Sequence, residues 1–351
     1  MVLGNCIGCS TPTTNYTLTM ASTAGGSVTP VVGAHNYSAG TGVNLTATAD
    51  SGYRFVNWTG GGADIGNATA AATTITMNAD HTVSANFALG VLIAGVPDTN
   101  VPPTTGAPNF CAPIAMVNIL GYWDEVKGLA SAKNVTAWLV PSNLNTVADY
   151  VGYFMDTNNI APPARGNGVD GHLGTKAKDI TPGNLDYVRW DNTHNFTTPP
   201  PALPARKVGH VWTGIDDYST ITNIGFPFIK AEIDAGRPLV VCYRWWNLSF
   251  GTNVTDPQSG KVISAYTWGP PSNHSTPPDP AENWTEYISG ELCIGHAVTC
   301  VGYILNWDPD GAGPLPSGNY TIVHDTWATT PENIAVPWTG APWNSSHAVL
   351  P

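Results

Sequence analysis

Cys111-Ala-Pro-Ile-Ala-Met-Val-Asn-Ile-Leu-Gly-Tyr-Trp-Asp124 is an apolar run that opens on a thiol. Ile114, Val117, Ile119, Leu120 and Trp123 supply the buried face of a helix, and the pattern predicts that helix over 113–123. Pro113 suits its first turn, where a missing N–H removes no intrahelical bond. Cys111 therefore stands at the mouth of the helix, where about half a unit of positive charge and unpaired amide donors favour thiolate over thiol. The same position also suits a cysteine that is only a small buried hydrophobe, and this segment alone leaves both readings open.

Two later runs could complete a site around a reactive thiol. Gly295-His296-Ala-Val-Thr-Cys-Val-Gly-Tyr303 reads as a strand with a histidine at its opening, and Tyr320-Thr-Ile-Val-His-Asp325-Thr-Trp327 as a strand ending in a carboxylate. A cysteine nucleophile needs a base within hydrogen-bond reach, and the base needs an acceptor that fixes its tautomer. Cys111, His296 and Asp325 are the residue types for these three roles. A second helix is predicted over 226–235, and Pro238-Leu-Val-Val-Cys-Tyr-Arg-Trp reads as a further strand. Helices first and strands later make residues 109–351 an α+β domain. The Pro/Gly/Asn-rich stretches 195–204 and 269–280 read as surface loops.

Together these segments resemble the papain-like cysteine peptidases of the bacteriocin-leader-processing type. The Cys111 run is similar to that family's nucleophile helix, and Ile229-Lys-Ala-Glu-Ile-Asp-Ala-Gly-Arg-Pro-Leu-Val-Val241 to its connecting helix and strand. Gly295-His296 and His324-Asp325-Thr-Trp327 are similar to its two remaining motifs. The resemblance implies a nucleophile helix packed on an antiparallel sheet, with Cys111 as nucleophile, His296 as general base, Asp325 as orienter and a peptide or protein as substrate. The family commonly carries a Gln shortly before the cysteine as oxyanion donor. Here the single Gln is Gln258, and Asn109 is the nearest side-chain amide. Losing such a donor costs about 10²–10³ in rate, so either Asn109 replaces it beside the Cys111 backbone N–H or activity is weak.

Upstream, residues 15–88 change character. Tyr16-Thr-Leu-Thr-Met20, Gly42-Val-Asn-Leu-Thr-Ala47, Tyr53-Arg-Phe-Val-Asn-Trp58, Thr74-Ile-Thr-Met77 and Thr82-Val-Ser-Ala-Asn-Phe87 alternate polar and apolar residues between Gly-rich breaks, which predicts half-buried strands. Gly25-Gly-Ser-Val-Thr, Tyr37-Ser-Ala-Gly-Thr, the stretch from Val43 to Trp58 and Ile75 to Phe87 resemble the divergent internalin-type B-repeat of prokaryotic surface proteins. That family implies a small β stalk or adhesive module without catalytic residues. Residues 1–14 read as an N-terminal arm through which copies could self-assemble, and the prolines of 89–108 as a linker.

The whole chain has 351 residues, 13 Lys+Arg against 25 Asp+Glu and a net charge of −12, which argues against nucleic acid as partner. No run approaches the ~20 apolar residues of a transmembrane helix. Charged residues are only 11% of the chain. Sequons offer another means of keeping the surface wet: Asn15, Asn36, Asn44, Asn57, Asn67, Asn134, Asn195, Asn247, Asn253, Asn273, Asn283, Asn319 and Asn344 each begin Asn-x-Ser/Thr. About five would arise by chance from this composition. The excess predicts an exported surface protein bearing covalent glycans, although Met1 to Cys6 has no signal-peptide pattern, as if the leader were removed or the start internal.

Besides Cys111 there are Cys6, Cys9, Cys242, Cys293 and Cys300, an odd number for an oxidising compartment. Cys242 could pair with Cys293 or Cys300, which read equally well as buried hydrophobes. No second C-x-x-C accompanies Cys6 and Cys9, so no metal and no cofactor is expected. The leading functional expectation is an extracellular, glycosylated cysteine peptidase. The alternative is a structural surface glycoprotein or filament subunit that keeps the peptidase-like fold as scaffold.

Overall fold

The computed structural model describes residues 14–99, 110–123, 127, 144–155, 157, 175, 180, 183, 187, 214–217, 225–243, 247–269, 296–311, 313–327, 329–338 and 346–350. They are mostly β-strand with few helices and divide into two compact units: Met1–Gly90 with Thr255–Lys261, and Val91–Val254 with Val262–Pro351.

The first unit is all β. Its strands are β1 (Asn15–Ser22), β2 (Gly26–Thr29), β3 (Gly33–Ser38), β4 (Gly42–Ala49), β5 (Tyr53–Thr59), β6 (Ala72–Thr76) and β7 (His81–Leu89). One sheet has the order β3-β1-β7-β5 and the other β2-β4-β6. Strand β4 shows why the chain adopts this form: Val43, Leu45 and Ala47 point inward while Asn44, Thr46 and Thr48 face water, the period-two rule of a strand with one wet face. Leu18, Met20, Leu45, Ile75, Val83 and Phe87, from both sheets, form one apolar core. Gly26 is part of the fit, because a Cβ there would overlap the Phe87 ring. The turn around Asp256 belongs to this unit: its carboxylate accepts the Leu89 N–H at 2.8 Å and the Ser259 hydroxyl at 2.6 Å.

The second unit is built on a sheet of order β11-β12-β15-β14-β13-β10-β16-β9. In chain order its strands are β8 (Val91–Leu92), β9 (Gly214–Asp217), β10 (Leu239–Tyr243), β11 (Asn247–Thr255), β12 (Val262–Gly269), β13 (His296–Trp307), β14 (Gly318–His324), β15 (Ile334–Pro337) and β16 (Ser346–Leu350). The unit's helices include α1 (Cys111–Gly121), α2 (Leu144–Phe154) and α3 (Phe226–Asp234). Strands β10 and β13 pair antiparallel with Leu239 opposite Cys300 and Tyr243 opposite His296. Val241, Tyr243, Val298 and Cys300 share a core with Phe226, Ile229 and Ile233 of α3. Thr299, on the other face, bonds to α1. Helices thus cover β13 on both faces, which is why nearly all of it is buried.

Part of the stretch expected to be linker is built into this unit. Strand β8 pairs with Gly302 and Tyr303 of β13, and the Ile93 N–H donates to the Val301 carbonyl at 2.8 Å. Gly302 makes the approach feasible, since a Cβ there would collide with the Val91 carbonyl. The Thr99 N–H donates to the Asn118 side chain at 3.0 Å. Prolines break periodicity, but they do not prevent the chain between them from pairing. The arm 1–13, the loop at 195–204, and Cys6, Cys9 and Cys293 lie outside the described residues. Cys242 and Cys300 do not pair: Cys242 is opposite Ala297, so the two side chains leave the sheet on opposite faces.

Candidate functional site

Helix α1 begins at Cys111, two residues before Pro113, because the Phe110 carbonyl already accepts the Ile114 N–H at 3.1 Å. Phe110 supplies no side-chain cap and the first turn holds no acid, so the partial positive charge of the helix start is uncompensated by a carboxylate of that turn. The Phe110 ring lies over Gly152 of α2, where any Cβ would overlap it. Cys111 is half-buried, and every later residue of α1 is buried.

Two sets of bonds give α1 its direction. The Tyr122 hydroxyl after its C-terminus donates to the Gly236 carbonyl at 3.0 Å, just before β10 begins. That start of β10 is paired with Cys300, well along β13. Nearer its N-terminus, the Ala115 carbonyl accepts the Thr299 hydroxyl at 3.0 Å. Helix α1 therefore runs in the same sense as β13, and Cys111 lies toward the end of the sheet where β13 opens on His296. Strand β14, antiparallel to β13, ends at His324 on that same end. The structure thus brings the start of α1, His296 and Asp325 to one end of one sheet.

His296 and Asp325 meet, through a different atom from the one the sequence suggested. The ring Nε2 is 2.7 Å from the Asp325 backbone carbonyl, and a carbonyl only accepts, so Nε2 carries the proton. In the neutral ring Nδ1 then holds the lone pair, the form a base requires. The main chain of Asp325 orients the ring, while its carboxylate Oδ1 accepts the Trp327 N–H at 3.0 Å and the Thr330 hydroxyl at 2.6 Å. The carboxylate thereby holds the turn that presents the carbonyl. Thr326 in that turn has φ +66°, a left-handed conformation uncommon for a β-branched residue. The Trp327 ring lies 5.1 Å from the His296 ring, and Trp327 is 42% exposed while His296 is buried. Burial pushes the His296 pKa down to about 4, only partly opposed by its bond to Asp325, so the ring is neutral at pH 7.

Three further residues carry no motif. Asp98 is held up to about 7 by burial first and then by the negative charges of Asp325 and Glu332. Its Oδ1 has no hydrogen-bond partner among the described residues. Asn118 and Thr299 are both fully buried, and the Asn118 amide donates to the Thr299 hydroxyl at 3.2 Å. The available signal was a lone polar residue in an apolar helix and another in an apolar strand. Asn109 lies outside the described residues, so no oxyanion role for it is visible. No cluster of His, Cys, Asp or Glu that could hold a metal occurs among the described residues.

The sequons divide. Asn15, Asn36, Asn44, Asn67 and Asn253 are exposed, Asn57 and Asn319 half-buried, and Asn247 begins β11. Asn134, Asn195, Asn273, Asn283 and Asn344 lie outside the described residues. Two exposed ones face each other: Asn15-Tyr-Thr17 and Asn36-Tyr-Ser38 pair across β1 and β3. The Thr17 hydroxyl donates to the Asn36 Oδ1 at 3.1 Å and the Ser38 hydroxyl to the Asn15 Oδ1 at 3.3 Å.

The two units thus differ in kind, one a two-sheet β module and the other a mixed sheet with polar residues gathered at one end. Residues 16–90 match the family model described as the divergent InlB B-repeat domain. No curated protein and no solved structure matched the chain. No helix among the described residues is long and apolar enough to cross a membrane.

Proposed function

We propose that the chain is an exported cell-surface protein whose residues 109–351 form a papain-like cysteine peptidase, preceded by the repeat module as stalk or adhesive element. The observation that supports this reading is the convergence of the start of α1, His296 and the Asp325 turn at one end of the sheet, with His296 in the neutral Nε2–H form. In the reaction the Cys111 Sγ attacks the scissile carbonyl carbon while its proton passes to the His296 Nδ1. The oxyanion takes the Cys111 N–H, with Asn109 as second donor. Collapse to the thioester breaks the C–N bond, and His296 returns the proton to the leaving amine. Water then attacks the thioester with His296 as base, releasing the acid and restoring the thiol. Exposed sequons support covalent glycans on the repeat module.

The test is hydrolysis of a mixed peptide library under reducing conditions, beside Cys111→Ala. Turnover that falls by more than about 10³-fold in the variant supports a peptidase. A second reading, the structural glycoprotein or filament subunit, is favoured by the 8% exposure of His296, which is little access for a substrate. Absence of turnover in both proteins, together with assembly larger than a dimer that is lost on deleting residues 1–14, would establish that reading instead.

A further inference from the structure

We infer that Asn118 is a positioning residue that fixes how far α1 is advanced along β13, and thereby where Cys111 stands relative to His296. The inference rests on the peptidase reading and adds to it a residue that touches neither substrate nor nucleophile.

Every residue of α1 after Cys111 is buried, and apart from Asn118 their side chains offer neighbours only apolar surface. Apolar ridges spaced by three and four residues repeat along a helix, so such packing discriminates poorly between neighbouring axial positions. Asn118 breaks that degeneracy. Its Oδ1 accepts the Thr99 N–H at 3.0 Å, its amide donates to the Thr299 hydroxyl at 3.2 Å, and that hydroxyl donates to the Ala115 carbonyl at 3.0 Å. Asn118 and Thr299 are 0% exposed and Thr99 8%, so no water replaces these partners if the helix moves. A slip of one residue, ~1.5 Å, would break all three bonds and leave buried polar atoms unpaired, which folded proteins avoid. The same network ties down three segments: the chain entering the unit, the thiol-bearing helix and the strand that begins at His296. Thr299 lies three residues beyond His296, and Ala115 four residues beyond Cys111. A misplacement of about 1 Å between reacting groups is enough to lose about 10² in rate.

The experiment follows the rate of Cys111 alkylation by iodoacetamide against pH, resolved by mass spectrometry on the full chain, for wild type, His296→Ala, Asn118→Leu, Thr299→Val and Thr299→Ser. Wild-type Cys111 is expected to react at pH 6 about tenfold faster than in His296→Ala. Asn118→Leu and Thr299→Val, near-isosteric but without the bonds, are expected to move the profile toward that of His296→Ala, and Thr299→Ser to retain the wild-type profile. Folded Asn118→Leu with a wild-type profile overturns the positioning role and leaves the peptidase reading standing, even if its melting temperature falls. If Asn118→Leu does not fold, a wild-type profile in Thr299→Val is the overturning result. A His296→Ala profile identical to wild type removes the peptidase reading and this inference with it.

Discussion

Strands β4 and β13 bury their side chains by different rules. Strand β4 alternates, with three apolar residues inside and their neighbours in water, and everything polar on it is solvated. Strand β13 is buried without interruption from His296 to Ile304, so its polar residues must find partners inside the protein. Thr299 finds Ala115 and Asn118, and His296 finds the Asp325 carbonyl. In the repeat, polarity reports which face is wet. In the second unit, buried polarity reports where the chain has specific work to do.

The contrast can be broken most severely at His296. On the proposed peptidase reading, replacing it by Ala should lower peptide hydrolysis by about 10²–10⁴-fold, whereas Phe87→Ala in the repeat core should show its main effect as lost stability. That loss should be about 3–5 kcal/mol in a denaturant titration, since Phe87 is fully buried. A smaller effect separates buried charge from buried apolar surface. Arg237 makes two bonds of 2.6 Å to Glu232, whose side chain is 5% exposed, so Arg237→Met should strand a buried carboxylate and cost about 3 kcal/mol. Thermal melting beside the double variant Arg237→Met/Glu232→Leu, which should recover most of the loss, checks this.

Acid should distinguish the units in a graded way. The His296 pKa falls from the ordinary 6.5 to about 4 in the folded protein, so as pH drops the unfolded chain takes up the proton first. The His296 contribution to stability, present above pH 6.5, should therefore be lost on the way to pH 4 by on the order of 3 kcal/mol. It is read as the difference between the stability-pH curves of wild type and His296→Ala, because the raised Asp98 pKa acts in the opposite sense over the same range in both. The smallest effect belongs to the repeat surface. Thr17→Val removes one exposed cross-strand bond to Asn36 and should change stability by no more than about 0.5 kcal/mol.

Alternation made β1, β4, β5, β6 and β7 legible. Strand β3 (Gly33–Ser38) was not, because it lies at a sheet edge, buries no residue fully and carries Gly, His and Asn in place of β-branched residues. The hairpin of β11 and β12 escaped for a related reason, since Asn247–Thr255 mixes Gly, Asn and Ser with few apolar positions. Helix α1 is legible from its apolar content, but it starts two residues before the Pro113 that marks its first turn in the sequence. Pro113 marks a first turn without saying which residue of that turn it occupies. Cys111, His296 and Asp325 stood out by residue type. That Asp325 would meet the ring through its main chain could not be read, because every residue carries the same carbonyl. Asn118 carries no signal in the sequence beyond being a polar residue in an apolar helix, since the cost of burying it appears only when its neighbours are known.

Strand β8 has a consequence for anyone who would divide the molecule. It is two residues long and sits directly after Gly90, where the repeat ends, yet it covers the edge of β13 at Gly302 and Tyr303. A cut that trimmed the chain to the first helix would take β8 away and expose unpaired backbone on the central strand, an invitation to aggregate. A boundary placed ahead of Val91 keeps β8 with the strand it pairs, although the Asp256 turn of the first unit still lies within the later chain.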